Sequence, residues 1–151
     1  MGLLDWFKKK QPTEDEEITP DIAGEDEEFY GLKIRQAIDA HQRWKGRLEK
    51  YLDGASEEML EIATVSRDNC CALGQWIYSE GKSRFGTIDE YEQLRHTHAQ
   101  FHLAAGEILL EHQSGNTEKA RQMLAGSEYR RTSNRVQLGI VRLMTRDKLS
   151  S

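Results

Sequence analysis

Three of the chain's five histidines fall within seven residues, in the segment HTHAQFH at positions 96–102. His98 and His102 are four residues apart, so a helix would place both imidazoles on one face. That face also carries the apolar residues of the segment, and a buried imidazole needs partners for its ring nitrogens. The spacing therefore indicates either a metal site or two core histidines that are satisfied by hydrogen bonds.

Two further donors have positions that fit the same site. His41 takes an apolar position near the middle of the first predicted helix, and Cys71 lies about two-thirds of the way along the second. Zinc accepts neutral imidazoles and a thiolate in a tetrahedron. Such a site carries a net positive charge, so we expect a carboxylate nearby, and Asp68 has the spacing for it. From these residues alone, hydrogen-bonded core histidines stay an equal alternative.

Helices must position these donors, and apolar residues at three- and four-residue steps predict four of them. Ser56 is a candidate N-cap, Thr87 to Glu90 form a capping-box pattern, and Gly81 follows the end of the second helix. Short loops and the lack of a strand pattern favour an all-α fold, an antiparallel four-helix bundle. The predicted segments are 32–52, 56–80, 87–113 and 117–146.

Charge divides the chain of 151 residues into three parts. Residues 1–10 carry three lysines and one acid, residues 11–30 carry nine acids and no base, and residues 31–151 are close to neutral. No basic stripe indicates nucleic-acid binding. No apolar run approaches the length of a membrane span, and no secretory signal is present, so we expect a cytoplasmic protein.

We therefore divide the chain into a head (1–10), an acidic disordered linker (11–30) and a folded domain (31–151). Two interpretations of the head stay open: an amphipathic anchor for a membrane surface or a partner, or a frayed N-terminus. Cys70 and Cys71 are adjacent, which argues against a disulfide framework. We expect Cys70 to be a small core or interface residue.

Three motifs together carry a resemblance to a known family. They are His41-Gln-Arg-Trp44, Cys71-Ala-Leu-Gly-Gln-Trp-Ile-Tyr78 followed by Gly81, and His98-Ala-Gln-Phe-His102. Their combination and spacing resemble the chemoreceptor zinc-binding (CZB) domain over roughly residues 30–146. The motif selects Cys71 rather than Cys70 as its cysteine.

The resemblance implies a bacterial four-helix bundle that binds zinc through three histidines and one cysteine. The implied ligands are His41, Cys71, His98 and His102. The resemblance also implies motif residues that support the site, namely Trp44, Leu73, Gly74 and Trp76. Members of the family are mostly regulatory domains of chemoreceptors or diguanylate cyclases and tend to be dimeric. In those studied as sensors, zinc binding or oxidation of the zinc-bound thiolate changes signalling.

The expected function is therefore that of a zinc-dependent sensor or adaptor, not of an enzyme. Four protein ligands leave no open position for a catalytic water. No cyclase domain or receptor coiled coil is present, so we expect a free-standing homodimer that acts on a separate signalling protein. The alternative is a passive zinc buffer or a purely structural zinc site.

Overall fold

A computed structural model of the protein describes residues 27–150. The predicted head and most of the predicted linker lie outside the described residues. The described part opens with an antiparallel hairpin of two short strands, β1 (Glu28–Phe29) and β2 (Leu32–Lys33). Tyr30 and Gly31 connect the strands with φ angles of 49° and 89°, as a tight hairpin turn requires. Residues 28–30, which the sequence assigned to the linker, thus belong to this hairpin.

Helices make up nearly all of the remaining structure, so the predicted all-α class is confirmed. Their arrangement as an antiparallel four-helix bundle stays a prediction. No helix within residues 27–150 combines the length and apolar character needed to span a bilayer. The helical elements are α1 (Ile34–Leu52), α2 (Ile62–Val65), α3 (Ala72–Trp76), the π-helical turn π1 (Ile77–Gly81), α4 (Lys82–Phe85), α5 (Asp89–Gln113), α6 (Thr117–Ala125) and α7 (Ser127–Ser150).

The second predicted helix is wrong over its first half. Residues 53–61 are not helical, and Ser56 accepts the Glu58 amide hydrogen in a local turn instead of capping a long helix. The polar run before Cys71 forms turns, so a continuous helical rod of α3, π1 and α4 starts only at Ala72. Consequently Cys71 precedes that rod rather than lying two-thirds along it. Gly81 lies inside the rod and does not end it.

Two other predicted boundaries also change. The fourth predicted helix is interrupted at Gly126, whose extended backbone (ψ 164°) separates α6 from α7. The capping box at Thr87 does not form, because α5 begins after Ile88 and has no side-chain cap. Three acidic residues in the first turn of α5 instead complement the helix dipole.

The core is built around α5, which packs most extensively on α7 and also contacts α2 and α6. The α5 residues Leu94, Phe101 and Leu109 are fully buried. Burial of such apolar side chains supplies the main driving force for folding. Helix α5 is therefore the most firmly held element, and it carries two of the predicted ligands.

Candidate metal centre

His98 and His102 lie on the buried face of α5, as the spacing predicted. Their exposed fractions are 0% and 3%, and their Nε2 atoms are 3.1 Å apart. The other buried α5 residues beside them, Leu94, Phe101 and Ala105, are apolar, so both rings are largely screened from bulk water. Both rings therefore need partners inside the protein.

His41 of α1 completes a group of three imidazoles. Its Nε2 lies 3.1 Å from Nε2 of His98. Its Nδ1 donates a hydrogen bond to the carbonyl oxygen of Ala37 at 2.7 Å, one turn earlier in α1. A carbonyl only accepts, so the hydrogen sits on Nδ1, and Nε2 presents a lone pair to the other rings.

The same arrangement fixes His102. Its Nδ1 donates to the carbonyl oxygen of Val65 at 2.9 Å, so its Nε2 also presents a lone pair inward. Sequence reasoning did not find these two carbonyl acceptors. Every residue has a backbone carbonyl, and no side-chain pattern identifies the ones that bind an imidazole. Nδ1 of His98 has no hydrogen-bond partner among the described residues.

Cys71 supplies the fourth donor from the N-cap position of α3. Its Sγ lies 3.2 Å from Nε2 of His98, 3.6 Å from that of His102 and 4.0 Å from that of His41. The Gly74 amide donates a hydrogen bond to Sγ at 3.3 Å. Burial raises the pKa of the Cys71 thiol, while the amide hydrogens of Gly74 and Leu73 oppose that rise. These amides at a helix N-terminus favour the thiolate, the form that binds metals.

Burial keeps the three imidazoles neutral at physiological pH. It lowers the pKa of His41 to about 4. Burial and the charge of the neighbouring imidazoles lower the pKa of His98 to about 2, and burial also lowers the pKa of His102. Neutral imidazole is the form that ligates a metal.

The donor set fits a zinc ion. The four donor atoms lie within 4.8 Å of one another. Zinc–ligand bonds of 2.0–2.3 Å in a tetrahedron place neighbouring donors about 3.3–3.7 Å apart, close to the separations in this cluster. Inward-facing lone pairs repel unless a cation or a proton lies between them, and the lowered histidine pKa values disfavour the proton. The cluster is therefore able to hold a metal ion.

Gly74 and Leu73 support the cluster through their backbone and their packing. A Cβ atom on Gly74 would lie 1.8 Å from the carbonyl oxygen of Asp68, so only glycine allows the preceding loop to cross here. Leu73 is 1% exposed and packs in the core beneath the loop. The Gly74 amide also binds Sγ of Cys71. The supporting role of the two residues stays a prediction.

Asp68 lies near the cluster but is hydrogen-bonded elsewhere. Its carboxylate accepts a hydrogen bond from the Tyr78 hydroxyl. Its charge raises the pKa of His102, a smaller effect than the burial that lowers it. The Asp68 carboxylate thus acts on the cluster through its charge. Its hydrogen bond with Tyr78 was not predicted from the sequence.

The two tryptophans differ in what they contact. Trp44 is half-buried, stacks on the Arg47 guanidinium at 3.9 Å and lines a surface cavity beside Cys71. Trp76 instead packs on the Phe29 ring, with the centroids 5.8 Å apart, and donates its Nε1 hydrogen to the Tyr30 carbonyl. These contacts of Trp76 anchor the hairpin, and its expected support of the site stays a prediction.

The cavity beside Trp44 has a volume of about 700 Å³ and reaches Cys71 and His102. Its wall carries charges of both signs: Arg43, Arg47 and Arg67 line it together with Glu58 and Glu61, and Arg47 pairs with Glu58. Cys70 also lines this cavity and is exposed, so the expected core position is wrong, and the alternative of an interface position stays a prediction. The thiol edge of the cluster thus faces a cavity.

Comparison with known proteins supports the same interpretation. Residues 41–109 match the family model described as the chemoreceptor zinc-binding domain. The match begins at His41 and includes the other three donors, whereas α6 and α7 lie beyond it. Neither a curated protein nor a solved structure matches the chain. This match over residues 41–109 and the donor cluster together confirm zinc as the predicted cofactor.

Proposed function

We propose that this protein is a zinc-dependent sensor of a bacterial signalling system, with zinc held by His41, Cys71, His98 and His102. The observation that carries the proposal is the convergence of three Nε2 atoms and one Sγ on a single point. Bound zinc would supply a positive charge between the four donors and so would link α1, α5 and the start of α3. Loss of that charge would free the Cys71 segment from the two helices.

Oxidation of Cys71 is the second proposed input. The cavity that Cys71 lines gives an oxidant such as hypochlorous acid a route to Sγ. The thiolate sulfur attacks chlorine, an S–Cl bond forms and hydroxide leaves. Water then displaces chloride and loses a proton, which yields a sulfenic acid. Sulfur gives up two electrons and chlorine takes them, and the oxidised sulfur is a weaker ligand than the thiolate.

The remaining parts of the proposal rest on the family. They are an antiparallel four-helix bundle, a homodimer in the bacterial cytoplasm, no enzymatic activity, and a partner of the chemoreceptor or diguanylate cyclase type. Four protein ligands leave no open position for catalysis, which favours a regulatory role. The predicted membrane or partner contact of residues 1–10 lies outside the described residues.

Zinc content tests the proposal directly. Protein purified without chelator should hold about one zinc per chain, as a closed four-ligand site does. Cys71→Ala should weaken binding, and Cys70→Ala is the matched control that should not. Hypochlorous acid should then release zinc from the parent protein and should not change the zinc content of a Cys71→Ala variant. Zinc that stays bound during Cys71 oxidation would favour the passive zinc buffer, and no zinc uptake at all would refute the site.

A further inference from the structure

The segment Ser66–Cys71, here called the thiol loop, is the least supported of the parts that carry a donor. His41 and His102 are fixed by backbone carbonyls and His98 lies in the middle of α5. Cys71, by contrast, is the last residue of a loop between α2 and α3. Whatever holds the thiol loop therefore determines whether Sγ stays beside the imidazoles.

Two side chains from the following helical rod reach back to the thiol loop. Gln75 donates a hydrogen bond from Nε2 to the Cys70 carbonyl oxygen at 3.3 Å, and Tyr78 is the one that binds a side chain of the loop. The Tyr78 hydroxyl donates a hydrogen bond to the Asp68 carboxylate. Tyr78 is 40% exposed, so this contact lies at the protein surface and not in the core. The bond joins a side chain of the π-helical turn to a side chain of the thiol loop.

The π-helical turn orients Tyr78 towards the thiol loop. A π turn adds one residue to the helical repeat, which rotates the side chains that follow it. Trp76, just before π1, faces the hairpin, while Tyr78 faces Asp68. The Tyr91 hydroxyl donates to the Ile77 carbonyl at 2.7 Å and so supports a carbonyl within π1. π-helical turns recur at functional sites, which is consistent with a role for this one.

A second contact joins Tyr78 to the helix of the imidazoles. The Arg95 guanidinium of α5 lies close enough to Tyr78 to oppose the rise in the pKa of its hydroxyl, and Glu92 holds that guanidinium through two hydrogen bonds. Arg95 lies three residues before His98 on the same helix. Glu92, Arg95, Tyr78 and Asp68 are thus neighbours along the surface between α5 and the thiol loop.

We propose that Tyr78 is a positioning residue: its hydroxyl holds Asp68 and thereby keeps Cys71 against the three imidazoles. The Tyr78–Asp68 contact sets how readily the thiol leaves the cluster and meets solvent. This inference rests on the proposed zinc site, and it adds a residue that controls release rather than one that binds the metal. It predicts that loss of a single surface hydroxyl accelerates both zinc release and thiol modification.

The test is Tyr78→Phe, which removes one hydroxyl and keeps the ring. Zinc transfer from the loaded protein to a chromophoric chelator should be about tenfold faster, the size expected when a hydrogen bond to a charged group is lost. Tyr30→Phe is the matched control, because Tyr30 is also 40% exposed and also donates to a carboxylate, that of Asp147. The control should leave the release rate unchanged.

A double-mutant cycle with Asp68→Ala separates this role from a general loss of stability. If the two side chains act as a pair, the double variant should release zinc no faster than either single variant. Thermal unfolding of the metal-free Tyr78→Phe and Tyr30→Phe proteins should be similar. Equal release rates for Tyr78→Phe and Tyr30→Phe, or fully additive effects in the cycle, would overturn the proposal.

A metal-free measurement distinguishes failure of this inference from failure of the zinc site. In a Cys70→Ser background, the rate at which 5,5′-dithiobis(2-nitrobenzoate) modifies Cys71 reports opening of the thiol loop. Tyr78→Phe should raise this rate about tenfold without any metal, for the same hydrogen-bond reason. An unchanged rate refutes the role of Tyr78 even if zinc binds, whereas a raised rate supports it even if zinc does not.

Discussion

The two sides of the donor cluster are built differently. On the imidazole side, His41, His98 and His102 are almost fully buried, lie in helices and, in two cases, are fixed by carbonyls. On the thiol side, Cys71 is half-buried, ends a loop and borders a cavity. The imidazole side is therefore the more firmly positioned side of the cluster. The accessible donor on the loop is the one that can leave the cluster more readily, which fits the proposed role as a sensor.

Removing one ligand from each side gives the largest expected effects. We expect His98→Ala to abolish zinc binding and also to destabilise the metal-free protein by about 2 kcal/mol or more, because it empties a fully buried position. Cys71→Ala should weaken zinc binding strongly and leave the metal-free stability within about 1 kcal/mol. Isothermal titration with zinc and chemical unfolding without it measure the two quantities. Equal loss of metal-free stability in both variants would contradict the comparison.

Low pH should lower the stability of the folded protein through the histidines of the imidazole side. The folded pKa of His41 is about 4 and that of His98 about 2, against an unfolded value near 6.5. As pH falls below about 6.5, the unfolded chain takes up protons that the folded protein does not, so stability decreases. At pH 5 the two histidines together should cost the metal-free protein about 4 kcal/mol relative to pH 7.5. Urea unfolding at both pH values measures this loss, and a stability that rises on acidification would refute the neutral, buried imidazoles.

A single methyl group added at Gly74 should disturb the thiol side of the cluster. Gly74→Ala places a Cβ on the Asp68 carbonyl, so the thiol loop must shift. We expect a loss of about 1–3 kcal/mol in stability, as for other overpacked sites, together with weaker zinc binding. Gly46→Ala is the control in α1, where a Cβ meets nothing within 4 Å and should stabilise the helix by about 0.5–1 kcal/mol. Normal zinc affinity in Gly74→Ala would show that the loop crossing does not position Cys71.

The smallest effect should come from the neighbouring thiol. Cys70 is exposed, and its Sγ lies 3.5 Å from the Asn69 side-chain oxygen. Cys70→Ser should change stability by less than about 0.5 kcal/mol and leave zinc affinity unchanged, as expected for a surface substitution. A clear loss of zinc affinity, measured by the same titration, would mean that the two cysteines share the role assigned to Cys71 alone.

Sequence reasoning reached the two long ligand helices because their patterns are local. The His98–His102 spacing and the apolar steps around His41 are read within a few turns, and α1 and α5 lie close to their predicted bounds. It failed between residues 56 and 71, where an acidic, helix-compatible composition gave no sign of the loop. There the Glu58–Arg47 pair and burial of Leu60 and Val65, contacts with other helices, outweigh local propensity.

The sequence by itself determined the kinds of donor, their spacing on one helix, the all-α class and, through the resemblance, the zinc family. Only the tertiary structure decided that Cys71 caps a helix after a loop, that Ala37 and Val65 turn two Nε2 atoms inward, and that Tyr78 holds Asp68. The physical reason is the range of the interactions. Helical periodicity repeats every few residues, whereas orienting a ligand depends on backbone carbonyls and side chains brought together from distant parts of the chain.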